Sequence, residues 1–138
     1  MQKLTQQWLA KNMMKKLWYS YWPGLLWTIA IFILLILPGS SFPKENWFGE
    51  IYLDKWIHII LFGGFVFCWS LAFRNQSISQ QKKIIIKLLL AGVLFGIMME
   101  AIQHFWVKGR SFELKDILAD SLGCLLGLFI SSRKIKPA

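Results

Sequence analysis

At 138 residues, with 56% hydrophobic side chains and a mean hydropathy of +0.48, the chain is more apolar than a soluble domain, whose apolar share is about 45 to 50%. A formal net charge of +9 could point to nucleic acid, but the basic residues stand between apolar runs of near-spanning length, the pattern of membrane orientation signals. A soluble fold and nucleic-acid binding are set aside, and the expectation is an all-α integral membrane protein: a four-transmembrane-helix bundle with both termini cytoplasmic.

Residues 1–18 read as a basic cytoplasmic segment in which Leu4, Trp8 and Leu17 alternate with Lys3, Lys11, Lys15 and Lys16. A short interfacial helix and a disordered, lipid-attracted tail both fit that composition. The membrane domain is expected over residues 19–131, beginning with an apolar run from Leu17 to Leu37. This run resembles the core of a signal peptide, with the small residues of Pro38-Gly39-Ser40-Ser41 behind it, so cleavage is an alternative that leaves the remaining topology unchanged. From Pro38 to Tyr52 runs the longest outer loop, whose Phe42, Trp47, Phe48 and Tyr52 suit anchoring at the outer leaflet.

The second run, Leu53 to Phe73, enters from the outside with Asp54 and Lys55, and places His58 about one turn, roughly 6 Å, inside the helix mouth. The four-residue interval sets Asp54 and His58 on one face. The third run, Ile84 to Trp106, returns outward, and Gly92, Gly96, Glu100 and Gln103 form one stripe, glycine at mid-membrane and polar near the outside. Glu100 lies deep enough that an unpaired charge is costly, so it is expected to face protein or water.

A tight outer turn, His104 to Lys115, supplies Lys108, Gly109, Arg110, Ser111 and Glu113, with Arg110 the expected cation for nearby carboxylates or for a ligand. The fourth run, Asp116 to Ser131, repeats the design in reverse: Asp116 and Asp120 outside, Gly123 and Gly127 deeper. The third and fourth helices are expected to meet along their glycine stripes and so to gather Glu100, Asp116 and Asp120. Residues 132–138 form a basic tail. Cys68 and Cys124, inside the second and fourth runs, read as small buried hydrophobes.

Orientation follows from the basic residues alone. Lys3, Lys11, Lys15, Lys16, Arg74, Lys82, Lys83, Lys87, Arg133, Lys134 and Lys136 fall on one side, against Lys44, Lys55, Lys108, Arg110 and Lys115 on the other, which puts both termini in the cytoplasm. All 7 acidic residues and both histidines then map to the outer face or the outer part of a helix. The basic residues fix the orientation without the acids or histidines, so the segregation of those groups is a separate indication of an outer polar site. His58 and Glu100 are the candidates for proton transfer, while Asp54, Lys55, Gln103, Arg110, Asp116 and Asp120 are the candidate binding and orienting groups. Metal coordination by His58 with Asp116 and Asp120 is chemically open, but no tight metal motif is present, and no metal is expected. The cofactor is unknown: there is no dinucleotide fingerprint, phosphate-binding loop or nucleophile elbow.

Read in order, Asp54-Lys55-x-x-His58, Gly96-x-x-x-Glu100-x-x-Gln103 and Gly109-Arg110-Ser111-Phe112-Glu113-x-x-Asp116-x-x-Ala119-Asp120-x-x-Gly123-x-x-x-Gly127, the chain resembles the VanZ-like family over about Pro38 to Phe129. At Asp120 the family more usually carries asparagine. The resemblance implies a small multi-helix protein of the bacterial cytoplasmic (inner) membrane, in a family named for a member associated with low-level resistance to the glycopeptide teicoplanin. The expected function is a cell-envelope protein whose outer-facing pocket binds or modifies an anionic lipid-linked or peptidoglycan-related molecule. Expected partners are membrane lipids and a lipid-linked cell-wall precursor or glycopeptide. The alternative is a noncatalytic lipid- or peptide-binding protein, or a partner subunit, whose polar network is structural. Ion translocation fits least, because no buried acid or histidine lies in the inner half to carry a relay.

Overall fold

The computed structural model describes Met13, residues 21–38 and residues 53–134. Among these residues there are four helices and no strand: α1 (Tyr21–Ile36), α2 (Leu53–Ala72), α3 (Ile78–Trp106) and α4 (Leu114–Arg133). The expected amino-terminal segment at 1–18 (Met13 apart), the outer loop and cleavage motif beyond Pro38, and the tail beyond Lys134 lie outside the described residues.

α2 and α3 are long and apolar enough to cross a membrane. Ile60, Ile86, Leu90 and Leu94 on these helices are each more than half exposed, a surface suited to hydrocarbon rather than water. α3 begins upstream of the apolar run at Ile84, and cap chemistry explains why. Ser77 Oγ accepts from the Gln80 N–H at 3.4 Å while Gln80 Oε1 accepts from the Ser77 N–H at 3.3 Å, a reciprocal box that starts the helix in a polar stretch hydropathy does not register. At 29 residues α3 is about 44 Å long, against about 30 Å of hydrocarbon, so its polar first turns have length to spare for the interface.

α2 packs most extensively on α4, and less on α3. The glycines explain the closeness. A Cβ on Gly123 would collide with the Ile59 carbonyl, one on Gly127 with the Gly63 carbonyl, and one on Gly63 would sit 3.0 Å from the Gly123 oxygen. α2 and α4 therefore touch backbone to backbone. This corrects the expected pairing of the two glycine stripes. On α4, Gly123 and Gly127 face α2, while the adjacent ridge of Asp120 and Cys124 faces α3. There Gly92 and Gly96 make room for side chains: added Cβ atoms would lie 2.6 Å from Cys124 Sγ and 2.6 Å from Asp120 Oδ2. Residues three apart on a helix lie on neighbouring ridges, so one helix serves both partners.

α1 is tied to α2 by two tryptophans. Trp27 Nε1 donates to the Leu61 carbonyl at 2.7 Å, its ring lying against Gly64, and Trp69 Nε1 donates to Thr28 Oγ1 at 3.0 Å, its ring lying against Gly24. Ile31 and Leu35 complete the core with Phe62, Val66, Met99 and Cys124. Cys68 and Cys124 are free thiols, and Cys124 is wholly buried.

Gly123→Ala is expected to destabilise the protein by about 1 to 3 kcal/mol, the usual range for overpacking, whereas Leu122→Ala, at an exposed position, should be near neutral. Thermal unfolding of both variants in detergent checks this; equal effects would contradict a backbone seam at Gly123.

Candidate functional site

The polar side chains gather at the end of the bundle where α2 and α4 begin and α3 ends. Lys55 is one residue after Asp54 at the mouth of α2, and its Nζ reaches three carboxylates: Asp54 Oδ2 at 2.7 Å, Glu113 Oε2 at 2.7 Å, and Asp116 Oδ1. One turn deeper, His58 Nδ1 lies 2.7 Å from Asp120 Oδ1, and its Nε2 lies 3.9 Å from Asp116 Oδ2. With Asp120 ionised its oxygen can only accept, so Nδ1 carries the hydrogen of that bond. Lys55, Asp116, His58 and Asp120 thus form a chain that crosses back and forth between α2 and α4. Helical spacing produces it, because Asp116 and Asp120 are one turn apart on α4 and Lys55 and His58 nearly so on α2.

Glu100 enters from α3. Its Oε1 accepts from the Glu113 N–H at 2.6 Å, which pins the turn between α3 and α4 to the cluster. Glu113 therefore acts twice, by its backbone on Glu100 and by its side chain on Lys55. Sequence reading named Glu113 in the turn but gave it no role; three residues before Asp116 and opposite a helix-mouth lysine, its charge was the available signal. His58, Glu100, Asp116 and Asp120 are each at most 4% exposed, whereas Asp54 and Glu113 are exposed.

Gln103 is equally buried but turns elsewhere, donating from Nε2 to the Leu35 carbonyl at 2.9 Å. That carbonyl belongs to the last turn of α1, where backbone acceptors lack helical donors, so Gln103 closes a helix end. Arg110 is half-buried in the turn after α3, next to Gly109, whose φ of 78° is the left-handed conformation that turn requires. The Arg110 N–H donates to the Val107 carbonyl at 3.3 Å. His104 is exposed, packed edge-on against Phe105 and Phe112.

Below His58 the packing is aromatic. The imidazole stacks on Phe62 with centroids 6.5 Å apart, and Phe95 and Phe65 continue the aromatic floor. Two buried oxygens above that floor, Glu100 Oε2 and Asp120 Oδ2, have no protein donor. Buried acceptors are rarely left so, and these are positions for a water or for a hydroxyl, amide or acid hydrogen of a ligand. Asp54, Glu113 and Asp116 lie close enough to share a cation, but Lys55 Nζ already contacts all three, so the residues present supply their own.

An all-helical protein with two membrane-length helices and a buried histidine–carboxylate chain at one end is the class that this architecture defines. The chain belongs to the VanZ/LLP1 family, whose model matches residues 3–135. No curated protein and no solved structure matches it.

Removing Lys55 alone leaves Asp116 buried without its cation, while removing both charges does not. Lys55→Met and Asp116→Asn are therefore expected to be strongly non-additive, with a coupling of about 1.5 to 3 kcal/mol in a double-mutant cycle of unfolding free energy. Additive losses would show that the two charges do not act as a pair.

Proposed function

We propose that this VanZ-like protein spans the bacterial cytoplasmic membrane four times with both termini inside, and that its outer end acts on an anionic lipid-linked or peptidoglycan-related molecule in a process linked to glycopeptide (teicoplanin) tolerance. The positive-inside distribution of Lys and Arg supports the orientation, and family membership supports the link to resistance. The observation that carries the reading is His58, buried between Asp120 and Asp116, within electrostatic reach of a buried Glu100 that has one oxygen without a protein donor. Imidazole oriented by one carboxylate and adjoining others is an acid–base constellation, and hydrocarbon-depth burial strengthens its electrostatics.

In this reading His58 and Glu100 exchange protons with the bound molecule, and Asp120 orients the ring through Nδ1. Anion recognition falls to Lys55 and Arg110. The exposed Asp54 and Glu113 are screened by water and hold Lys55 weakly, so an incoming phosphate or carboxylate can take their place while Asp116 keeps its bond. Asp54 and Asp116 thus bracket the lysine from the wet and the dry side, and Gln103 holds α1 against the site.

A second reading has one specific observation in its favour: Lys55 is already engaged by three carboxylates, as it would be in a network that only holds helices together. The protein would then bind a lipid, peptide or partner subunit without chemistry.

His58→Gln and Glu100→Gln separate the two. Catalysis predicts that each variant, folded normally by circular dichroism, loses about 100-fold or more in turnover of lipid-linked precursor, with matched loss of glycopeptide tolerance in cells. Retained function in both would establish the noncatalytic reading. Topology is checked by single-cysteine labelling in a Cys68→Ser, Cys124→Ser background: Lys108→Cys should react in intact cells, and Asn75→Cys only after permeabilisation.

A further inference from the structure

At the far end of the bundle the chemistry is reversed. Glu100 and Ile85 are separated by about 22 Å along α3, so this end lies far from the histidine cluster. Between the end of α2, the start of α3 and the end of α4 is a small, open cleft with a cavity of about 40 Å³, lined by Ser70, Arg74, Ser131 and Lys134 with apolar walls that include Phe73 and Ile84. No described acidic side chain is at this end; Asp54, Glu100, Glu113, Asp116 and Asp120 are all at the other. Arg74 and Lys134 therefore have no carboxylate to neutralise them among the described residues.

The polar groups are arranged to donate. Ser70 Oγ gives its hydrogen to the Phe67 carbonyl at 2.6 Å and sits 3.0 Å from Ser131 Oγ. Ser131, only 4% exposed, is left with a hydrogen to give, to Ser70 or into the cleft. Lys134 Nζ is held over the Phe67 ring, 4.6 Å from its centroid, at the cleft's edge. Beyond the walls the bundle surface stays apolar, with Ile86, Leu90 and Ile130 exposed, so a ligand with a phosphate and hydrocarbon tails meets matching chemistry along its whole length.

We propose that this cleft binds the phosphate headgroup of an anionic phospholipid, through Arg74, Lys134 and the Ser70–Ser131 hydroxyl pair, with the acyl chains lying on the exposed apolar faces of α3 and α4. A free phosphate would use the same donors but not the apolar continuation, and this favours the lipid. The site depends on the chain lying in a membrane, and on no chemistry at the other end.

Full-length protein in detergent is titrated with phosphatidylglycerol, phosphatidylcholine or inorganic phosphate, and bound equivalents are counted by native mass spectrometry. One phosphatidylglycerol is expected to be retained in preference to phosphatidylcholine and not displaced by inorganic phosphate. Arg74→Ala with Lys134→Ala should weaken it on the order of thirty-fold, since each cation near an anionic headgroup contributes about fivefold. Arg133→Ala removes the same charge from beside Phe129, outside the cleft, and should change little. Ser131→Leu should block binding by filling the cleft with no change of charge, with circular dichroism showing the helices intact. Equal retention of both lipids, displacement by inorganic phosphate, an Arg133→Ala loss as large as the double variant's, or full binding by Ser131→Leu would each overturn the proposal.

Discussion

The close approach of α2 and α4 is the constraint on which the rest of this structure depends. Asp116 and Asp120 are buried in a helix whose surroundings are apolar, and isolated charges there are costly. Their partners, Lys55 and His58, reach them because Gly63, Gly123 and Gly127 let the two backbones touch. A larger residue in that seam would push the helices apart and lengthen each bond of the chain at once. Gly96 has the complementary part on α3, leaving space for the Asp120 carboxylate that a side chain there would fill. Packing and electrostatics are thus one problem in this bundle, solved by the same few small residues.

Much of this was legible in the sequence, and the failures have physical causes. Two membrane-length helices at α2 and α3 follow from the apolar runs, and the four-residue spacings place Asp116 with Asp120 and Gly123 with Gly127. What periodicity could not give is which neighbour each ridge faces: the glycine ridge of α4 meets α2, while Asp120 and Cys124 fill the space beside Gly96 and Gly92 of α3. A one-dimensional stripe fixes an angle on its own helix and nothing about the helix opposite. The start of α3 was misplaced because hydropathy is blind to the Ser77–Gln80 cap. Glu113 is legible as a charge in the turn, but half of its contribution is a backbone N–H, which no residue pattern reveals. Gln103 was legible as polar and inward, but its bond to a backbone carbonyl of α1 lies beyond any spacing rule.

The bundle is also polarised from end to end. At one end the buried acids gather, with Lys55 shared among three carboxylates; at the other, cations have no described acid beside them. Between the two ends lies the aromatic floor of Phe62, Phe65 and Phe95, which separates the histidine–carboxylate cluster from the hydroxyl cleft.

The order in which the chain is made bears on how those acids come to be buried at all. An aspartate at the centre of an inserting helix costs about 2.5 to 3.5 kcal/mol on translocon scales, and under the proposed four-span topology α4 would bring in two of them, though nearer its end. α4 is made after α2, by which time α2 has already presented Lys55 and His58. The earlier helix can therefore receive the later one as a polar dock, so that a segment too acidic to insert comfortably alone arrives where its charges are already answered.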